Sequence, residues 1–511
     1  MSEETTTEIV TTPESGSESA ETLDLKRFLT SMRLNPDIFA PKPVLSNNLA
    51  TVIDADEIRD EDRFISGMAA VLMNIDPAAG KFDKGAVQEL IGRIDEMVSA
   101  QLNQIIHHEQ FKAMESNWRS INELVRTTNF KADVMIDLLD VSKEELNEDF
   151  VNNAVDITGS ALFKKAYTAE YDQYGGKPYA SIVGLYEFEH TPRDESWLNI
   201  MGKISAACHA PFIGAVSPKF FGCQTIDELA AIKDLEGLMN HPRYGSWNKL
   251  RESEVAAYIG LTLPRYILRQ PYDPDTNPCG NGKFTFKEEV RGDNNADYLW
   301  GSASILFTQN MIRSFVTSGW CQYLRGPKAG GLVNGLPVYS FNMRGEDEIK
   351  IPVEMVIPDY RELDFANAGF IPLIYRKGTA DACFFSCQSL KKSKKFKDQK
   401  DSENAQLVAN ISYTFSITRI AHYVKCIMRD NIGSSADATF ISTTLNNWMF
   451  KYVTTVVNPD DLTLRYYPFK AASVAVAERP GMIGWYDCAI SVLPHIQFEG
   501  MDVELRLDAR L

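Results

Sequence analysis

This chain predicts a mixed α/β fold: a helical N-terminal part, an α/β body and closing strands. Three observations predict it. Apolar residues recur at helical spacing through residues 83–127, short apolar runs alternate with helical stretches from residue 179, and residues 501–511 alternate apolar and charged without an error. A period near 3.6 marks a one-sided helix, and a period of 2 marks a strand with one buried and one wet face. With 511 residues, 44% of them hydrophobic, the chain can bury several cores.

Residues 1–22 are mostly Ser, Thr and Glu with little to bury, so they read as a disordered tail. Pro36, Pro41 and Pro43 then block long helices. Asp83 suits an N-cap. After it Val87, Leu90, Ile91, Ile94, Met97 and Val98, then Leu102, Ile105 and Ile106, then Phe111, Met114 and Trp118 form the stripe of one or two long helices. Residues 132–140 read as a strand, and Ser142-Lys-Glu-Glu145 opens a helix as a capping box.

From residue 179 the pattern is strand (181–188), helix (197–209) and strand (211–215), as in an α/β body. Residues 272–295 are rich in Pro, Gly, Asn and Asp and read as an irregular loop. Residues 297–322 and 407–429 read as buried helices, the second with Phe415, Ile420, Tyr423 and Ile427 as core positions. A Trp-bearing amphipathic helix is expected at 445–453, and strands close the chain. The strand of residues 501–511 would run about 36 Å and needs a sheet to join.

Composition narrows the function. A net charge of −17 argues against a general binder of nucleic acid or anionic membrane, which needs a basic surface. No apolar run is long enough for a transmembrane helix, and the N-terminus has no apolar signal core. The eight cysteines are scattered, mostly in apolar surroundings, as reduced core thiols are. A cytoplasmic protein is the expectation.

No chemical motif survives inspection. Arg325-Gly-Pro-Lys-Ala-Gly-Gly331 lacks the Gly-Lys-Ser/Thr ending of a phosphate loop and reads as a tight turn. Cys383 and Cys387 have no second pair to complete a zinc site. His108-Glu109 has Lys112 where a zinc helix needs its second histidine, and Pro278 spoils the calcium-like Asp273, Asp275, Asn277 spacing. His209 with Cys208, or His422 with Cys426, would suit a Cys–His nucleophile pair, but satisfied core histidines are expected. The basic run Lys391-Lys-Ser-Lys-Lys-Phe-Lys397 reads as a solvated loop. No catalytic, metal-binding or cofactor-binding residue is assigned.

A collinear series of segments carries a resemblance. It includes Ile105-Ile-His-His-Glu-Gln-Phe111, Leu138-Leu-Asp-Val-Ser-Lys-Glu-Glu-Leu146, Ile182-Val-Gly-Leu-Tyr-Glu-Phe188 and Ala206-Ala-Cys-His-Ala-Pro-Phe-Ile213. It continues through Ala257-Tyr-Ile-Gly-Leu-Thr-Leu-Pro-Arg265, Gly369-Phe-Ile-Pro-Leu373, Arg419-Ile-Ala-His-Tyr-Val-Lys425 and Pro494-His-Ile-Gln-Phe-Glu499. Over residues 90–511 the chain resembles the large subunit of the contractile sheath of the bacterial type VI secretion system, the TssC/VipB family.

The resemblance implies a structural subunit, not an enzyme, and no cofactor. Its partners would be a small sheath subunit, neighbouring copies of itself, the hexamers of an inner tube, a baseplate, and a disassembly ATPase acting mainly through the small subunit. It implies a tail at 1–22, a region at 23–150 pairing with the small subunit, a sheath body at 151–435 and a C-terminal part at 436–511. Inter-subunit strands fall on Tyr486, Ala489, Ile490 and Val492 and on Val503, Leu505 and Leu507, with the segment before Ile53 as an exchanged strand. A tube-facing helix falls at 445–453, with Asn446, Asn447 and Lys451 as contacts. The readings set against it are a cytoplasmic Cys/His hydrolase and a scaffold or baseplate protein of a related contractile particle.

Overall fold

The computed structural model describes residues 84–279, 286–292, 294–343, 345–394, 396–434, 437–482 and 484–495. The expected tail of residues 1–22, the segment before Ile53, Asp83 and the strand of residues 501–511 lie outside the described residues. Two compact units are present, Met1–His108 with Tyr272–Glu289, and Glu109–Pro271 with Val290–Leu511.

In the first unit, helix α1 (Lys84–Ile106) ends beside the loop that begins at Tyr272. The loop is irregular where described, as its composition demands, and several of its backbone groups are paired. Asn103 bridges it, donating from Nδ2 to Lys287 O (3.4 Å) and accepting from Glu289 N (3.0 Å). His107 Nε2 lies 3.1 Å from Glu288 Oε1, and Tyr272 N donates to Glu288 Oε2.

In the second unit, helix α2 (Glu109–Thr127) is amphipathic in the reverse sense. The side it turns inward is largely polar, with Leu124 as its buried apolar residue. Lys112 donates to Ala296 O and Ser116 to Trp300 O, Glu115 accepts from Arg269, and Glu123 accepts from the Tyr266 hydroxyl and Gln309. Met114 and Trp118, read from sequence as part of a buried stripe, are exposed instead, Trp118 at 65%. Met114 and Trp118 face solvent because the body offers α2 carbonyls and charges to pair with, while Phe111 is half-buried.

The expected strand at 132–140 is not formed: Phe130–Ala132 make a 3-10 turn, Asp133 is left-handed (φ 54°), and residues 134–141 pair with no strand among the described residues. Helix α3 (Lys143–Asn152) follows, and its capping box is realised in both directions: Glu145 N donates to Ser142 Oγ, and Ser142 N to Glu145 Oε2.

Strand β1 (Ile182–Phe188), helix α4 (Pro192–Cys208), β2 (Phe212–Val216) and β3 (Ile259–Leu263) build the parallel part of the central sheet. Short β4 (Tyr266–Ile267) and β5 (Trp300–Gly301) pair with each other, which is why the expected helix at 297–322 starts late. Helix α5 (Ala303–Ser318) is capped by Ser302 and stopped at Gly319, whose φ of 78° suits glycine. Beyond it come β6 (Leu332–Val333), the β7 (Tyr339–Met343) and β8 (Glu346–Lys350) hairpin, β9 (Ile371–Tyr375) and β10 (Ala382–Phe384). The six-stranded sheet runs β1-β2-β3-β9-β10-β6.

Helices cover both faces, so every residue of β2 and β3 is buried. One face packs Phe188, Trp197, Phe212, Phe220 and Trp247, and the other packs Ile213, Phe307, Ile371, Phe384 and Phe415. The glycine-rich run is a turn, as expected. A Cβ on Gly331 would collide with Phe384 O.

The helix expected at 407–429 is two helices, α6 (Gln399–Ala409) and α7 (Ile411–Asp430). Asn410 breaks them because its backbone bridges to Gln388 while its side chain caps α7 at Ser412 N. Phe415 and Ile420 are buried as expected, but Tyr423 is exposed. The chain then forms α8 (Ala438–Phe450), α9 (Asp461–Tyr466) and the hairpin of β11 (Phe469–Glu478) and β12 (Tyr486–Pro494).

Candidate functional site

The C-terminal elements hold the residues singled out for assembly. Asp437 caps α8 by accepting from Phe440 N (2.7 Å), so the helix begins seven residues before the expected start at 445. Ile441, Leu445 and Met449, one per turn, are its buried line. Together with Val424, Ile427 and Met428 of α7 they fill the space under Val474, Tyr486 and Ile490 of the hairpin.

Asn446 belongs partly to this inner packing: its Nδ2 donates to Ser442 O (2.8 Å) and reaches Val474 O at 3.5 Å. Asn447 and Lys451 are exposed on the other side, with Phe440 and Phe450 beside them in sequence and also exposed. The sequence reading missed the two phenylalanines. Their signal was spacing: residues 440, 443, 447 and 450 share a helix face opposite the buried line.

Strands β11 and β12 pair antiparallel from Glu478↔Tyr486 to Phe469↔Pro494, with a bulge between Phe469 and Ala471. Tyr486, Ile490 and Val492 point inward and are half-buried, while Ala489 points outward. The outer face is Ala471, Ser473, Ala475 and Ala477 on β11 and Asp487, Ala489, Ser491 and Leu493 on β12, all exposed. Among the described residues this sheet has two strands only. Val503, Leu505 and Leu507 lie outside them.

The Cys–His candidates sit elsewhere. His422 of α7 donates from Nε2 to Cys208 O at 3.0 Å, which fixes its tautomer. Burial drives its pKa down to about 4. The Cys208 thiol is buried and pushed up to about 12, so it stays protonated and non-nucleophilic at neutral pH. Around them runs a clamp the sequence did not reveal. Lys425 pairs with Asp172 (2.7 Å) over the Tyr171 ring (3.8 Å), and Arg429 donates to Tyr171 O and Gln173 O. Tyr171 closes a π-helical stretch, Lys164–Tyr171. The clamp therefore fastens α7 to the body.

Among the described residues no group of His, Cys, Asp and Glu could hold a metal ion, and no helix is long and apolar enough to cross a membrane. Lys391, in the basic run, pairs with Glu254 at 2.6 Å.

Residues 88–391 match the family described as EvpB/VC_A0108, tail sheath N-terminal domain, and residues 400–511 match its tail sheath gpW/gp25-like domain. The chain is 39% identical over 429 residues to the type VI secretion system sheath protein TssC1 of Pseudomonas aeruginosa PAO1, covering 83% of this chain and 86% of that one. Two solved structures share about 10% identity with it. The anti-feeding prophage baseplate has a TM-score of 0.36 over 74% of this chain and 84% of its own. The contracted anti-feeding prophage sheath has 0.28 over 70% and 86%. At those values neither likeness bears on fold or function.

Proposed function

The chain belongs to the EvpB/VC_A0108 tail sheath family, and from that premise we propose how it works as a sheath subunit. It is a structural subunit of the contractile sheath of a bacterial type VI secretion system, and it assembles into an oligomer with a partner subunit. The proposal concerns the parts. The region of residues 23–150 pairs with the small sheath subunit, residues 151–435 form the sheath body, and residues 436–511 face the tube and neighbouring subunits. The sheath sits in the cytoplasm around a tube of hexamers, starts on a baseplate, and is dismantled by an ATPase that grips mainly the small subunit.

One observation carries this division of labour: the hairpin β11–β12 is filled on one face by α7 and α8 and bare on the other. Among the described residues this sheet has two strands, and the edge of a sheet can take a further strand. Tyr486, Ile490 and Val492 anchor it from inside, Ala489 lies on the outer face, and Val503, Leu505 and Leu507 supply a linking strand. Asn447 and Lys451 make weak polar contacts to the tube, with Asn446 as their inner neighbour. Contraction then needs rigid bodies that turn while tethered. The chain has no catalytic role in this reading, since the Cys208 thiol stays protonated at neutral pH.

Co-expression with the small sheath subunit followed by electron microscopy tests it. Full-length protein forms tubules; a chain lacking residues 501–511 folds and still binds the small subunit but forms none. Normal tubules from the truncated chain would overturn the strand assignment.

A further inference from the structure

Helix α5, the glycine-rich turn after it and helix α9 line a cavity of about 110 Å³. Two arginines border it, Arg313 from α5 and Arg465 from α9, beside Ser314, Thr317, Ser318 and Tyr323. Arg313 engages only its Nη2, which donates to Asn310 Oδ1, to Leu332 O and to Gly330 O (3.4 Å). Arg465 Nη2 donates to Lys328 O at 2.6 Å, and its guanidinium lies 5.4 Å from the centre of the Tyr323 ring. The Arg465 Nε is buried and has no hydrogen-bond acceptor. Among the described residues no carboxylate pairs with Arg313 or Arg465. Asp461, at the start of α9, is the carboxylate whose charge reaches Tyr323, yet it is exposed and bonded to neither arginine.

Two unneutralised guanidinium groups on one small cavity are unusual in a chain with 69 acidic and 52 basic residues, where carboxylates are in surplus. A buried donor left without an acceptor costs free energy, more so on a charged group, and folded chains normally supply a partner. The hydroxyls around the cavity cannot be that partner's competitors. Ser314, Thr317 and Ser318 already donate to Trp320 O, Arg313 O and Ser314 O. The free donors are therefore Nε and Nη1 of each arginine, which have no acceptor among the described residues. Planar guanidinium forks match the paired oxygens of a phosphate or carboxylate. Size then selects the ligand, since the cavity is far below the roughly 300–1,000 Å³ of a pocket for a drug-sized molecule. It admits one oxyanion group and no base or sugar ring.

We propose that Arg313 and Arg465 form a binding site for a single phosphate-class oxyanion between α5 and α9. A phosphoryl group near charge −2 with three acceptor oxygens answers two guanidinium groups better than a singly charged carboxylate does. Lys328, exposed in the same turn, adds positive charge that favours the same ligand. Bound there, the anion fastens α9 to α5 and to the turn whose Gly330 and Lys328 carbonyls already hold the arginines, so binding stabilises the folded chain. The inference stands apart from the sheath reading and does not depend on it.

The test titrates the purified full chain with inorganic phosphate at neutral pH and fixed ionic strength, read by calorimetry and by melting temperature. Phosphate binds one to a chain and raises the melting temperature to a plateau, whereas chloride at the same ionic strength does not. Arg313→Gln and Arg465→Gln each weaken phosphate binding by about 10- to 100-fold, through loss of charge-assisted hydrogen bonds. Arg465→Lys keeps the charge and loses the fork, and it weakens binding by about 10-fold. Arg479→Gln, exposed just beyond β11, leaves binding unchanged. A nucleoside monophosphate binds no tighter than phosphate, because the phosphoryl group alone enters. A parent chain indifferent to phosphate overturns the site, and so does parent-like binding by the Arg465→Lys and Arg313→Gln variants. Acetate binding as tightly as phosphate overturns the proposal in favour of a carboxylate socket.

Discussion

Strands β2–β3 and strands β11–β12 are equally regular and oppositely surrounded. Every residue of β2 and β3 is buried between two helical layers, and their backbone groups are paired on both sides by other strands. The hairpin has the longer strands, yet alternate residues on both of them are bare. A two-stranded sheet is marginal alone, and α7 and α8 supply only one face. Regular pairing and complete burial are therefore separate achievements. The central sheet is finished by its own chain, whereas the hairpin is finished as backbone and left open as surface.

That contrast predicts a graded set of responses. Phe212→Ala in β2 removes a ring packed against Phe188 and Trp197 and costs about 3–5 kcal/mol, read as a large drop in melting temperature. A parent-like melt would mean that the sheet is not the centre of stability. Leu445→Ala under the hairpin costs about 2–4 kcal/mol and speeds hydrogen exchange in residues 438–494 while 182–263 stay protected. Equal loss of protection in both would merge the two regions into one cooperative unit.

Acid acts through α7, whose two ends serve the two regions. Burial holds the pKa of folded His422 at about 4, against 6.5 for an ordinary histidine. Between those values the unfolded chain binds a proton that the folded chain refuses, so stability falls as pH drops, by about 3 kcal/mol at most. Above pH 6.5 both states are neutral and the full stability is present. His209 is shifted the same way, first by burial and then by Lys425. His422→Gln flattens the difference between melts at pH 7 and pH 5; an unchanged difference would place the acid sensitivity elsewhere. The smallest stability effect belongs to Ala489→Lys on the bare outer face, within about 0.5 kcal/mol, yet tubules with the small subunit should be lost. Normal tubules would assign that face to solvent.

Much of the body was legible from sequence, because local pattern and tertiary demand agree there. Strand 181–188, helix 197–209 and strand 211–215 are found within a few residues at the α4 start and closer elsewhere, and the Ser142 cap forms both of its bonds. Legibility fails where a long-range partner decides. Asn410 breaks a continuous helical pattern because Gln388, far away in sequence, pairs with its backbone. Residues 132–140 have a strand's pattern without a strand's neighbour. Trp118 sits in a clear stripe whose direction only the polar surroundings of α2 could settle. For the assembly residues, the resemblance pointed to Ile490 and Val492 where local pattern did not, and the inward turn of Asn446 depends on a carbonyl of β11.

Helix α7 has a mechanical consequence of its own. Its first turns, through Ile411 and Phe415, are packed in the core of the six-stranded sheet, and its last, through Ile427 and Met428, lie beneath the hairpin. Twenty residues make it about 30 Å long. Packed at both ends and bolted to the body near its C-terminal end through Lys425 and Arg429, it is a shaft rather than a hinge. A sideways slip of about 1 Å at one end tilts it by only about 2°, a figure that follows from its length. Torque applied to the hairpin by a neighbour is then delivered to the sheet almost undiminished, and the weakest point under load is one of the two sockets rather than the shaft between them.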